Sequence, residues 1–260
     1  MGKALLFALF PMFITTQVIS GEIVIKIVYN NVVLDKKLTP GWGMACVVEG
    51  LEKNILFDTG GNGSILVSNM KKLKIDPEKI DLVFLSHIHS DHTGGIESFL
   101  DANPDVEIVV PASFPNDFKG ELRARGGRII EVSEPVEVCK NAYSSGQMGT
   151  SIKEQSLIIK SEKGLVIITG CAHPGIVKIV ERASERFGGG IYLVTGGFHL
   201  KGASDIQING IINDLKKLGV KKVGPSHCTG EMAIEMFRDA WGRDFVNAGL
   251  GAILHISNNQ

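Results

Sequence analysis

Residues 81–95 read DLVFLSHIHSDHTGG, and the way this line is parsed decides the fold. Its opening, 81–86, is a short apolar run bounded by polar residues, which predicts a buried strand. His87, His89, Asp91 and His92 follow at once, four metal-capable side chains within six residues, ahead of a predicted helix. In an extended chain, positions two apart project to the same side, so His87 and His89 can hold one cation together. Asp91 and His92 lie past the strand end, where a turn aims an oxygen and a nitrogen at a second cation nearby. The bland alternative, a solvated polar loop, fits this dense H-x-H-x-D-H spacing poorly.

A catalytic ion takes about three protein ligands and keeps an open position, so more donors must come from elsewhere. The chain has seven histidines, and three of the other four sit where a predicted strand runs into a Gly- or Pro-bearing loop. They are His173 in TGCAHPG (169–175), His199 in TGGFHL (195–200) and His227 in GPSHCTG (224–230). His255, inside AILHI (252–256), reads instead as an ordinary hydrogen-bonded histidine. Asp58 ends the apolar run ILFD ahead of Thr59. A structural Asp there would shape a turn. Its strand-end placement favours a carboxylate that accepts a hydrogen bond from a ligand histidine or a water and fixes its orientation.

Working outward, strands are predicted at 22–29, 43–49 and 54–58, giving an antiparallel start, and a helix at 64–73. Beyond the motif come strands at 107–110 and 128–132, a hairpin 155–160/164–169, helix 174–187, strand 191–195, helix 205–218, strand 220–223, helix 230–240 and strand 252–256. Residues 112–150 are expected to supply a pocket wall. The order fits an α/β fold of two mixed sheets packed face to face with helices on the outer faces. Loops following several strands would then meet at one edge, where distant side chains can converge. No internal repeat or linker is visible, so residues 22–260 read as one domain.

The chain has 260 residues, a formal charge of −1 and 31 glycines, a profile that suits an α/β enzyme. The near-neutral balance gives no reason to expect nucleic acid as a partner and leaves a small molecule as the expected one. Residues 1–20 open with Lys3 and an uncharged apolar stretch of signal-peptide length, with cleavage expected near Ser20. Export to a periplasmic or secreted location is therefore expected, with no stable membrane span after the leader is removed. A buried first element in a cytoplasmic chain is the alternative. Cys46, Cys139, Cys171 and Cys228 form no C-x-x-C pair and read as small buried apolar residues; Cys228 is notable because it adjoins His227.

With these residues in view, the chain resembles the metallo-β-lactamase-fold hydrolase superfamily over most of 22–257. The phrases LFDTG (56–60), SHIHSDHTGG (86–95), GCAHPGI (170–176), GGFHL (196–200) and PSHCTG (225–230) most resemble the branch named for dihydropterin ribofuranosyl-aminobenzene phosphate synthase. The resemblance implies a four-layer αββα sandwich. It also implies two metal ions per chain, zinc first, with iron or manganese as alternatives. His87, His89 and His173 would bind one, and Asp91, His92 and His227 the other, with a hydroxide between them. Many members add a bridging aspartate after a later strand, but residues 194–199 (VTGGFH) contain no acid. His199 would then either substitute as a ligand or face the substrate. The activity implied is metal-dependent hydrolysis of an ester, lactone, thioester or phosphoester, with Asp91, Asp58 and His199 as the catalytic set. The branch suggests the alternative, a transferase joining an activated pterin-type alcohol to an aromatic ribosyl phosphate. A non-catalytic metal-binding module is disfavoured by the full set of donors.

Overall fold

The computed structural model describes residues 21–257. In chain order the first half comprises strands β1 (Ile23–Asn30), β2 (Met44–Glu49) and β3 (Ile55–Phe57), helix α1 (Gly63–Lys72) and strand β4 (Leu82–Phe84). Short helices α2 (Ser90–Thr93) and α3 (Ile96–Ala102) follow, then strand β5 (Glu107–Pro111), helix α4 (Asn116–Ala124) and strand β6 (Arg128–Val132). The second half runs β7 (Val136–Cys139), β8 (Ala142–Ser144), β9 (Leu157–Ser161), β10 (Gly164–Thr169), α5 (Ile176–Phe187) and β11 (Ile191–Gly197). It ends with α6 (Asp205–Lys217), β12 (Lys222–Ser226), α7 (Glu231–Trp241) and β13 (Ile253–Ile256).

Seven strands form one sheet in the order β13-β1-β2-β3-β4-β5-β6, and six form the other in the order β12-β11-β10-β9-β8-β7. Each sheet is antiparallel on one side and parallel on the other. The parallel side needs long crossovers, and the helices supply them. Side-chain alternation then sorts the apolar residues into layers. Phe57 and Phe84 point between the sheets with Val166 and Ile168, while Leu56 and Val83 pack outward with Leu66 and Phe99. On the far face, Ile176, Ile179, Val180 and Ala183 place one stripe of α5 against Ile167 and Val194. The result is the expected four-layer αββα sandwich.

Helix starts follow local chemistry. Asn62 accepts from the Ile65 amide at the start of α1, and Ser204 with Gln207 forms a capping box on α6. The predicted elements are present with ends shifted by a few residues. Four elements have no counterpart in the sequence reading: α2, which lies inside the 86–95 motif, α4, β7 and β8. Helix α4 buries only Lys119 and Leu122 and carries Gly120 mid-helix, so its periodic signal is weak. Strands β7 and β8 are four and three residues long. No helix among the described residues is long and apolar enough to cross a membrane. The leader expected at 1–20 lies outside the described residues.

Candidate metal centre

Strands β3, β4, β10, β11 and β12 all lie on the parallel sides, and the loops after their C-terminal ends meet at one edge of the sandwich. Parallel α/β sheets generally place ligands there. Four residues in these loops hold left-handed backbone without being glycine: Asp58 (φ 53°), Ala172 (φ 58°), His199 (φ 53°) and His227 (φ 54°). Such conformations cost on the order of 1 kcal/mol each and persist where the surroundings over-determine them. The fold thus concentrates backbone strain where the polar residues converge.

Strand β4 ends at Phe84, two residues before the end of the predicted 81–86 strand, and His87 and His89 lie beyond it. They still reach one point: His87 Nε2 is 3.2 Å from His89 Nδ1. The His173 ring lies 4.8 Å from each of their rings, centre to centre. A second group brings His227 Nε2 to 3.2 Å from both His92 Nε2 and Asp91 Oδ2. Cys171 joins this group, its sulfur 3.2 Å from His92 Nε2.

Asp58 stands behind both groups. Its Oδ1 accepts from the Ser86 amide at 2.7 Å, and its Oδ2 accepts from the Ser86 hydroxyl and from His92 Nδ1, each at 2.7 Å. The Ser86 proton is thereby committed, so at 2.9 Å its oxygen accepts from His87 Nδ1. One buried carboxylate thus sets the tautomer of His92 directly and of His87 through a hydroxyl, leaving an Nε2 lone pair on each facing the interior of the site.

His227 is fixed likewise. Its Nδ1 donates to Asn31 Oδ1 at 2.7 Å, and Asn31 Nδ2 donates to the His227 carbonyl at 3.2 Å, which settles the amide orientation. With each Nδ1–H so committed, the neutral forms of His92 and His227 turn Nε2 lone pairs toward each other and toward the Asp91 carboxylate. His173 Nε2 is buried without a hydrogen-bond partner. Such clusters are costly unless a cation fills them, so the donor set fits metal ions. The ligand atoms of His87, His89 and His173 lie within 4.8 Å of one another, as do those of Asp91, His92, Cys171 and His227.

The electrostatics agree. Burial, reinforced by neighbouring imidazoles, holds His87 well below the usual histidine range and His173 at about 4, while burial also lowers His227. These rings are neutral, ready ligands at physiological pH. Burial pulls His92 down too, but Asp58 outweighs it and the net shift is upward. Burial opposes ionisation of Asp91, yet the His227 contact and the charges of His92 and His227 carry it to about 2. Contact with Cys228, then burial, pushes the Cys171 thiol up.

His199 lies in neither group as placed. Its exposed ring lies 4.5 Å from that of His173, tilted by 50°, and its nitrogen neighbours the sulfurs of Cys171 and Cys228. His255 pairs with Glu22 at 3.0 Å on an exposed edge, away from this centre.

Several residues escaped the sequence reading. Ser86 and Asn31 orient ligands through one atom each. Glu154, 1% exposed, accepts from the amides of Gly170, Cys171 and Ala172 with Oε1 and of His173 with Oε2, holding the His173 loop. Burial pushes its carboxyl up, and those amides pull it back. Cys171 sits two residues before His173, the same spacing as His87 and His89, which was the available signal. All four cysteines are buried and free, as expected.

A cavity of about 550 Å³ opens beside His227, walled by Asn31, Trp42, Lys201, Ile234 and Arg238. The Trp42 ring is 5.0 Å from that of His227, and Lys201 Nζ lies 5.0 Å from the Trp42 centroid. The wall comes from the segment after β1, the loop after β11 and α7, whereas Glu134, Pro135 and Met148 of the expected 112–150 stretch line a separate cavity. A larger cavity of about 670 Å³, between Glu134 and α5, contains none of these groups.

A family model described as the metallo-beta-lactamase superfamily matches residues 39–196. The chain belongs to the metallo-beta-lactamase superfamily. It is 31% identical over 83% of its length to 91% of 7,8-dihydropterin-6-methyl-4-(beta-D-ribofuranosyl)-aminobenzene-5'-phosphate synthase of Methanocaldococcus jannaschii. Among solved structures it resembles Tm1679, described as a metal-dependent hydrolase of the beta-lactamase superfamily, with a TM-score of 0.76 and 26% identity, covering 91% of this chain and 100% of that one. The metallo-beta-lactamase fold protein YhfI from Bacillus subtilis shares the fold at a TM-score of 0.66 and 13% identity, over 91% of this chain and 100% of that one. Within the superfamily pattern, the acid missing from 194–199 has a steric counterpart. A Cβ on Gly197 would lie 2.4 Å from the Gly170 carbonyl oxygen and 2.7 Å from Cys228 Sγ, so no side chain fits there.

Proposed function

We propose that the chain is a metal-dependent hydrolase of small-molecule esters, lactones, thioesters or phosphoesters. One divalent cation would sit on His87, His89 and His173 and another on Asp91, His92 and His227. The observation that carries this reading is the convergence of His92 Nε2, His227 Nε2 and the Asp91 carboxylate, the two rings held face to face by Asp58 and Asn31. Zinc, or manganese or iron in the same ligands, supplies Lewis acidity toward a substrate carbonyl or phosphoryl oxygen and acidifies water. Asp91 stays ionised and partly exposed, able to accept a proton from the attacking water. His199, which lines the mouth with Trp42 and Lys201, would act on a leaving group. Trp42 offers a flat face and Lys201 a cation that forms no ion pair among the described residues, which suits a substrate with a planar part and an anionic group.

Metal analysis with a panel of lactones, thioesters, phosphodiesters and β-lactams tests this. Two ions per chain are expected, with turnover at least about 10³-fold lower in His89→Ala. Full metal loading with no turnover on any of the panel would count against hydrolysis.

A second reading, group transfer, is favoured by the likeness to the synthase across most of both chains. The same residues would then deliver an aromatic acceptor in place of water. Reaction in ¹⁸O-water separates the two: hydrolysis places one labelled oxygen in the product, and transfer places none. Export through residues 1–20 belongs to the hydrolase proposal, and N-terminal sequencing of the mature protein tests it, with a start near Gly21 expected.

A further inference from the structure

We propose that Cys171 is a fourth protein ligand for the ion held by Asp91, His92 and His227, occupying the coordination position left by the missing bridging carboxylate. This rests on the metal reading above. The sulfur lies 3.2 Å from His92 Nε2, and its distances to the ligand atoms of Asp91 and His227 are within 4.8 Å. His92 Nε2 carries a lone pair because Nδ1–H is committed to Asp58, so that sulfur points at the place where an ion would sit.

Three further observations converge on the same assignment. Cys171 is 3% exposed, and its amide is bound by the buried carboxylate of Glu154 at 3.0 Å, so the thiol is placed by a fixed backbone. Neither Gly196 nor Gly197 leaves space for an acid, since Gly196 has φ 118° and a Cβ there would meet the Thr169 carbonyl oxygen, while a Cβ on Gly197 would meet Gly170 and Cys228. The charge also balances. Asp91 and a Cys171 thiolate together bring −2 to a divalent ion through two nitrogens, one oxygen and one sulfur, a mixture zinc accepts in tetrahedral sites. On binding, the Cys171 S–H bond is lost, its proton goes to solvent, and the electron pair stays on sulfur to form the metal bond. Cys228 is the competing sulfur, but it groups with Cys171 and His199, and its Sγ faces the Cys171 carbonyl at 3.7 Å.

The consequence is an asymmetric pair: four protein atoms would hold the ion on Asp91, His92 and His227, whereas three would hold the ion on His87, His89 and His173 and leave room for water or substrate.

X-ray absorption of the zinc-loaded wild-type protein reads the assignment directly and needs no variant to fold. One sulfur scatterer at about 2.3 Å from zinc is expected, retained in Cys228→Ser. Cobalt(II) substitution should give a thiolate-to-metal charge-transfer band that Cys171→Ser removes and Cys228→Ser keeps. Chelator titration should show one of two ions bound at least tenfold more weakly in Cys171→Ser, with the other unchanged. Two bound ions with no sulfur, or a sulfur signal that vanishes in Cys228→Ser, would overturn this proposal alone. A protein that binds no divalent cation would overturn it together with the metal reading.

Discussion

Around Asp91, His92 and His227, each ring nitrogen turned away from the cluster is gripped by a partner, the buried Asp58 for one and the half-buried Asn31 for the other. Around His87, His89 and His173 only His87 has such a partner among the described residues, reached through Ser86. The first group contains a carboxylate and lies deep. The second is three imidazoles with no carboxylate, two of them half-exposed. The contrast teaches that similar donor counts can serve different ends: a pre-oriented nest with a carboxylate would hold its ion firmly, and a looser one built of imidazoles alone would leave room for exchange.

The comparison breaks most severely at Asp58, which both groups share. Asp58→Ala leaves the Ser86 amide, the Ser86 hydroxyl and His92 Nδ1 without their buried acceptor. A loss of about 3–5 kcal/mol in the unfolding free energy of the metal-free chain is expected, as for other broken buried charged networks. Affinity for both ions should fall by about 10–100-fold, read by chelator competition. Loss at one group alone would show that Ser86 does not relay the effect.

Asn31→Ala separates the groups. It removes an acceptor from His227 only, so one ion should bind roughly tenfold more weakly or worse while the other is unchanged, with a stability cost of about 1–2 kcal/mol.

Acid sharpens the contrast in the metal-free protein. His87, His173 and His227 have folded pKa values below the ordinary 6.5, so the unfolded chain binds more protons and stability falls as pH drops from 6.5 toward about 4. His92 is raised and acts in the opposite sense, contributing stability below pH 6.5 that fades above it, but three rings outnumber one. Thermal melting of chelated protein at pH 7.5 and 5 should show the lower midpoint at pH 5. A higher midpoint in acid would mean that His92 dominates.

The smallest expected effect lies at the mouth. Lys201→Ala should raise KM for an anionic substrate about tenfold, roughly 1.4 kcal/mol, with kcat nearly unchanged.

The donors were largely legible in the sequence because strand-end loops leave local marks. The apolar run before His87, and the glycines and proline around His173, His199 and His227, each announce such a loop, and the sandwich follows from the alternation of strands and helices. Asn31 and Glu154 left no such mark. Asn31 matters only through a ring 196 positions away, and Glu154 through amides 16 to 19 positions on. Neither spacing has a local period. The edge hairpin of β7 and β8 was hidden for a different reason: short, half-exposed strands carry too few apolar residues to alternate.

Glu154 also pairs in both directions with the Met148 backbone, at 2.8 and 2.9 Å, as part of a surface bend. That bend and the histidine-bearing turn at 170–173 therefore share a single anchor. A ligand or antibody fragment gripping the outside of residues 148–153 would tug on the innermost turn, so this stretch is a mechanical handle from which the chemistry at His173 could be tuned without entering the cleft.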